Sequence, residues 1–438
     1  MRFSIVNNLP IAIAVLLTLT VSQETVALTK QNNADSEWGD SEWGDTWDES
    51  SKESLFHGFL EAALSRKVDA DVGNRDALQE LRGRIEWKDT FSTTQFEFKG
   101  DFFYDGIVEK GWDAHVREAN ALIPIGNNFE LKVGRQILTW GTGDLVFIND
   151  LFPKDWQSFF VGRDDEYLKA PSDAMKLSWF GEKVSFNLVY SPEFDSDNYI
   201  NGERLSFYYP GFGIVQPELF PVAKPLSSDD ELATRIYGKI DGLEWAFYTY
   251  SGFHKTPKGT NALGVPFFPR LEVLGASVRA PIAGGIGSVE LGSYNSLDDA
   301  KGTNPMIPND QFKLLLGFEH ELMTNVTGSF QLVLDKTHDY QALIANSAVP
   351  SQEQAEVHKL LTARVTHQAM QQKLINSLFV FYSPDDKDYH LRLSSSFRYS
   401  DDLSLSGGVY WFGGENDFSF WGQFQENSQV FVRLRYNY

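Results

Sequence analysis

The chain has 438 residues, no cysteine and a formal net charge of -22. That length accommodates two or three ordinary domains or one large β-architecture. With acid in excess and no basic cluster, a nucleic-acid partner is excluded, because Lys and Arg must neutralise phosphates; the absence of cysteine rules out thiolate metal sites, disulfides and lipoprotein anchoring.

The chain opens MRFSIVNNLPIAIAVLLTLTVSQETVALTK, with Arg2 ahead of an apolar run from Leu9 to Val21 and small residues at Ser22 and Ala27. This pattern predicts a secretory signal peptide over residues 1–27; the run falls short of the roughly 20 residues that a spanning helix needs. Residues 28–53 contain SEWGDSEWGDTWDES, too acidic to build a core. Its evenly spaced Trp38, Trp43 and Trp47 leave three readings: a plain tether, a docking motif for a basic, grooved periplasmic protein, or a plug that meets lumenal arginines.

From residue 54 to residue 438 the chain breaks into short runs in which apolar and polar residues alternate. DLSLSGGVYW places Leu403, Leu405, Val409 and Trp411 on one face and Ser404, Ser406 and Gly408 on the other. About 18 candidate strands have the length that a tilted strand needs to cross a bilayer. They begin near Leu55, Leu78, Thr93, Trp112, Asn128, Asp173, Lys183, Glu231, Leu243, Arg270, Gly285, Gln311, Asn325, Val357, Lys373, Tyr389, Asp402 and Ser428.

Every second connection is short, near Thr90, Gly126, Gly181, Asp241, Gly284, Thr324, Gln371 and Asp401, and most of the intervening ones are long. The expected fold is therefore all-β: a transmembrane antiparallel β-barrel of about 16–18 strands, with short periplasmic turns, long extracellular loops and outer-membrane lipid around it. A soluble β-sandwich also alternates, but it does not predict a short and long loop rhythm, nor a strand carrying Arg82, Arg84, Glu86 and Lys88 on one face. In a barrel such a face lines a wet lumen. Glu97, Lys99, Asp101, Arg392, Arg398, Arg433 and Arg435 are lumenal by the same parity; the arginines either pair with lumenal carboxylates or form an anion-attracting stripe.

The chain ends SQVFVRLRYNY, with Val430, Val432, Leu434, Tyr436 and Tyr438 on one face. This resembles the C-terminal strand of bacterial outer-membrane proteins, whose terminal aromatic is read by the barrel-assembly machinery. A second resemblance lies in residues 131–171. Gly134, Arg135, Gln136, Trp140, Gly141, Pro153 and Asp155 are similar to the G-[KR]-Q, W-G and N-P-x-D marks of a largely uncharacterised family of porin-like barrels, with Phe152 in place of the asparagine. The resemblance implies an outer-membrane channel or transporter, in some members for hydrophobic compounds, and no catalytic residues.

The same stretch is too apolar for a free loop. Trp140, Phe147, Phe152, Trp156, Phe159 and Phe160 call for burial or a binding surface, and folding into the barrel would narrow the pore. The apolar loops at residues 205–226 and 263–270 either join it as a lid, form an apolar vestibule for a lipid-like or aromatic solute, or line a sugar path with their aromatic rings. Asp144, Asp150, Asp155, Asp164, Asp165 and Glu166 bind cations or pair with Lys154 and Arg163. No H-E-x-x-H, G-x-S-x-G or phosphate-binding glycine loop is present, and the eight histidines lack metal-ligand spacing, so neither an enzyme nor a cofactor is expected. The functional expectation is an outer-membrane channel for small solutes, hydrophobic or aromatic ones among them. Its rival is the port of an envelope-spanning lipid or hydrophobe pathway that docks a periplasmic protein through Trp38, Trp43 and Trp47.

Overall fold

Alternation of apolar and polar residues resolves into eighteen antiparallel strands in one sheet. The computed structural model describes residues 56–69, 71–108, 110–216, 222 and 229–438. The expected leader and the acidic segment with Trp38, Trp43 and Trp47 lie outside the described residues.

In chain order the strands are β1 Phe56–Lys67, β2 Asp76–Phe91, β3 Thr94–Asp105, β4 Gly111–Ile125, β5 Phe129–Ile137, β6 Pro171–Phe180, β7 Val184–Ser191, β8 Phe207–Tyr209, β9 Gly213–Val215, β10 Glu231–Ile240, β11 Leu243–Phe253, β12 Gly259–Thr260, β13 Pro266–Phe267, β14 Arg270–Ile282, β15 Gly285–Ser296, β16 Gln311–Met323, β17 Val326–Thr337, β18 Val357–Ala369, β19 Leu374–Ser383, β20 Asp388–Arg398, β21 Leu403–Gly414 and β22 Gln429–Asn437. β8 pairs with β9, and β12 with β13, as small hairpins within long loops. Every other strand pairs with its neighbour along the chain. β1 then pairs with β22, Phe59 opposite Asn437, and the sheet becomes a ring without free edges.

The short rim is made of tight turns. Asp241 (φ 48) with Gly242 (φ 84), and Ala283 (φ 51) with Gly284 (φ 79), take the paired left-handed backbone that continues the twist of a two-residue hairpin. The long rim carries residues 138–170, 192–216, 254–269, 297–310 and 338–356. The last of these contains the helix Tyr340–Asn346, where the sequence shows helical propensity.

Side-chain parity matches the sequence pattern. Leu393, Leu405 and Val432 are 45%, 46% and 45% exposed on the outer face, as a lipid-facing wall requires. Arg392, Tyr410 and Phe431 alternate with them and are buried inside. The interior of the barrel's long-loop half is not empty. Residues 138–170 fold inward and pack into two apolar clusters, one against β6 to β17 and the other against β1, β2 and β19 to β22.

Candidate functional site

The inward loop is shaped by the residues that resemble the porin-like motif. Gly134 has φ 118, and a Cβ there would lie 2.3 Å from the Ala119 carbonyl oxygen, so only glycine fits. Gln136 is buried and donates to the Ala174 carbonyl at 2.9 Å, tying β5 to β6 where the loop leaves the wall. Trp140 meets Phe152 edge-on, ring centroids 4.9 Å apart. Asp155 caps the helix α1, Trp156–Val161, accepting from the Ser158 N–H and hydroxyl, both at 2.7 Å. Gly162 ends that helix in the left-handed conformation.

Two opposite walls hold the loop. On β15, Glu290 is fully buried and accepts from the backbone N–H groups of Thr142 (2.9 Å) and Asn149 (2.7 Å), from the Thr142 hydroxyl (3.1 Å) and from the Asn149 amide (3.0 Å). On the far side the acidic run Asp164, Asp165 and Glu166 faces arginines. Arg392 reaches Asp165 at 2.5 Å, Arg433 reaches Asp164 at 3.1 Å, Arg84 reaches Glu166 at 2.7 Å, and Arg435 reaches Asp164 at 3.5 Å and Glu166 at 3.4 Å. Arg117 donates to the carbonyls of Glu166 and Lys169, both at 3.0 Å. Burial opposes ionisation of Asp164, but Arg433, Arg435 and the Glu166 N–H outweigh it and hold its carboxyl down to about 2.

The wall charges are also paired among themselves. Arg82 binds Glu80 (2.8 Å) and Asp101 (2.7 Å), and Arg84 binds Asp101 (2.7 Å) and stands 3.5 Å from Glu86. Lys99 meets Glu118 at 3.2 Å, and Lys132 meets Glu97 at 3.5 Å. Lys88 and Arg398 share the inward parity but sit exposed beside the short turns, away from this cluster. The anion-attracting stripe that parity left open is therefore, over most of its length, a paired stripe. Lys154 binds Asp150 at 2.9 Å, one of the pairings foreseen within the loop, whereas Arg163 binds Glu80 of the wall at 2.6 Å.

The loop aromatics are consumed by packing. Trp140, Phe152, Phe159 and Phe160 are buried, and Phe147 and Trp156 are half-buried. Phe160 lies among His390, Phe412, Trp421 and Phe424. The long loops meet above: Asp197 accepts from the Lys154 N–H and the Trp156 indole, both at 2.8 Å, and Phe268 packs on Phe194 and Tyr199.

At the long-loop rim Ser383, His358 and Asp386 come together, but the Ser383 hydroxyl (3.0 Å) and the Asp386 carboxylate (2.8 Å) address the same ring nitrogen. A hydrolytic relay needs them on different nitrogens. Sequence reasoning did not single out Glu290, Arg117 or Glu118. Nothing local marks them beyond a charge at an inward position.

No protein-family model matches the chain and no curated protein is similar to it in sequence, so the motif resemblance rests on its own residues. Among solved structures the chain is similar to OccD3 (OpdP) of Pseudomonas aeruginosa, with a TM-score of 0.53 and 11% identity over 87% of this chain and 91% of that one. It is similar also to OccK5 (OpdH) of the same organism, at 0.54 and 12% over 87% and 96%. A third is OccAB1 of Acinetobacter baumannii, at 0.53 and 10% over 87% and 96%. The shared feature is the fold, an outer-membrane porin-type barrel. With its belt of exposed apolar side chains, the protein is an outer-membrane β-barrel of porin-like build.

Proposed function

We propose that the protein is an outer-membrane channel for small polar solutes, in which the loop of residues 138–170 sets the width and lining of the path. The observation that carries this reading is the loop itself, bound to Glu290 on one wall and to Arg84, Arg392, Arg433 and Arg435 on the other. A structural barrel has no need to span its own lumen with a built partition, whereas a selective pore does. A polar solute is favoured over a hydrophobic or aromatic one because the loop aromatics are turned into the walls, while the inner faces of β20 and β21 beyond them carry Ser394, Ser396, Ser404 and Ser406. Purified protein in planar bilayers is expected to give ohmic single-channel currents. Electrically silent bilayers, together with liposomes that do not swell in small sugars or amino acids, would sink the channel reading.

A further inference from the structure

Most of the arginine-rich wall is electrically compensated. Arg82, Arg84, Arg392, Arg433 and Arg435 each have a carboxylate partner, and a compensated pair projects only a short-range dipole. Across the ring the situation reverses. Arg235, midway along β10 and facing inward opposite β21, makes no hydrogen bond and no ion pair among the described residues, and its Nε is buried without a partner. Its guanidinium is held only by ring faces, 4.2 Å from the centroid of Tyr237 and 5.9 Å from that of Tyr248. Asn187, its register partner on β7, is 4% exposed and its Oδ1 is also unpartnered. Trp140 and Phe152 of the inward loop pack beside Ala233 and Tyr248 of this wall, so the pair belongs to the stretch that the loop narrows.

We infer that Arg235 is the selectivity-determining residue of the channel: its uncompensated guanidinium, facing inward from β10, forms a station for a small anion in transit. The inference rests on the channel reading above. A fixed unpaired charge between low-dielectric walls concentrates counter-ions, while the aromatic contacts keep the guanidinium in place without neutralising it.

The test is the reversal potential of the full chain in planar bilayers under a potassium chloride gradient. The unmodified protein is expected to prefer chloride, Arg235→Gln to lose that preference severalfold, and Arg235→Lys to retain its sign. Arg66→Gln removes the same charge from the outer face of β1 and is expected to leave the potential unchanged. A barrel that failed to form would migrate identically on unheated and heated gels, a failure that the lysine variant guards against. Currents from all variants with an unmoved potential in Arg235→Gln, or a chloride preference that follows Arg66, would overturn this inference alone. Absence of current from every protein, the unmodified one included, would overturn the channel reading and this inference with it.

Discussion

Arg84 on β2 and Glu290 on β15 stand half the ring apart and hold the two ends of one loop: Arg84 donates to Glu166 at 2.7 Å, and Glu290 accepts from Asn149 N at 2.7 Å. The two anchors differ in kind. Glu290 is sealed away and satisfied by neutral donors, whereas Glu166 reaches water and meets a formal cation.

Removing the sealed anchor should therefore release the start of the loop. Glu290→Ala takes the acceptor from the buried Asn149 N–H, at a cost of about 1–3 kcal/mol, and from the part-buried Thr142 N–H and hydroxyl, while the Asn149 amide keeps the Leu291 carbonyl. The expected outcome is a larger and noisier single-channel conductance, with new protease cleavage within residues 142–149. An unchanged conductance in a folded variant would mean that the loop does not set the path.

Stripping the water-reached anchor exposes the wall instead. Asp164→Asn, Asp165→Asn and Glu166→Gln together leave Arg84, Arg392 and Arg433 without their loop acids. The barrel should unfold at a lower temperature on heating gels, and chloride preference in the bilayer should rise above that of the unmodified protein.

Acid should act on the same contact late. Because Asp164 is held down to about 2, below the roughly 4 of an unfolded aspartate, its contribution is fully present above pH 4 and is lost as pH falls through about 2. Protease accessibility of residues 162–170 is expected to stay flat from pH 8 to pH 4 and to rise only below pH 3. A rise near pH 5 would contradict the pairing of Asp164 with Arg433 and Arg435.

The aromatic end of the loop is a packing element. Phe160, 2% exposed and ringed by His390, Phe412, Trp421 and Phe424, should cost about 3–5 kcal/mol when truncated to alanine. Thermal unfolding in detergent should show that loss, while Phe420→Ala, at a 48% exposed position, should show little.

The absence of native cysteine allows parity itself to be read. Single cysteines at Leu405 and Ser406 should divide between reagents: position 405, outward and 46% exposed, reacts from the lipid phase, and position 406, inward and bonded to Ser396 at 3.0 Å, reacts from water. Equal labelling of both by one reagent would contradict the register of β21.

The barrel was legible because a strand's two faces meet two different solvents, and that contrast is written locally. Each of the eighteen expected strand starts falls within about two residues of an observed one, from Phe56 to Gln429. Which charges are inward is also local, so Arg82, Arg84, Arg392 and Arg433 could be assigned by parity. Which carboxylate each one meets is not, because Asp165 and Arg392 are brought together only by a closed ring and a loop that turns back into it. Arg163 shows the limit: sequence neighbours offered Asp164 and Asp165, and the fold gave it Glu80. The readings of Trp38, Trp43 and Trp47 fall outside the described residues.

Ring closure also imposes an order of events on folding. The acidic end of the loop is gripped by side chains from β2, β20 and β22, and Tyr438, the last residue, completes the seam by donating its hydroxyl proton to the Arg84 carbonyl at 2.8 Å. These partners are supplied by both ends of the chain, so the loop reaches its final bonds only when the first and last strands have met. The slowest step in making this protein should therefore leave a species with most of its strands paired and its lumen still unfurnished, and that species, with its β1 and β22 edges open, is the one exposed to misassembly.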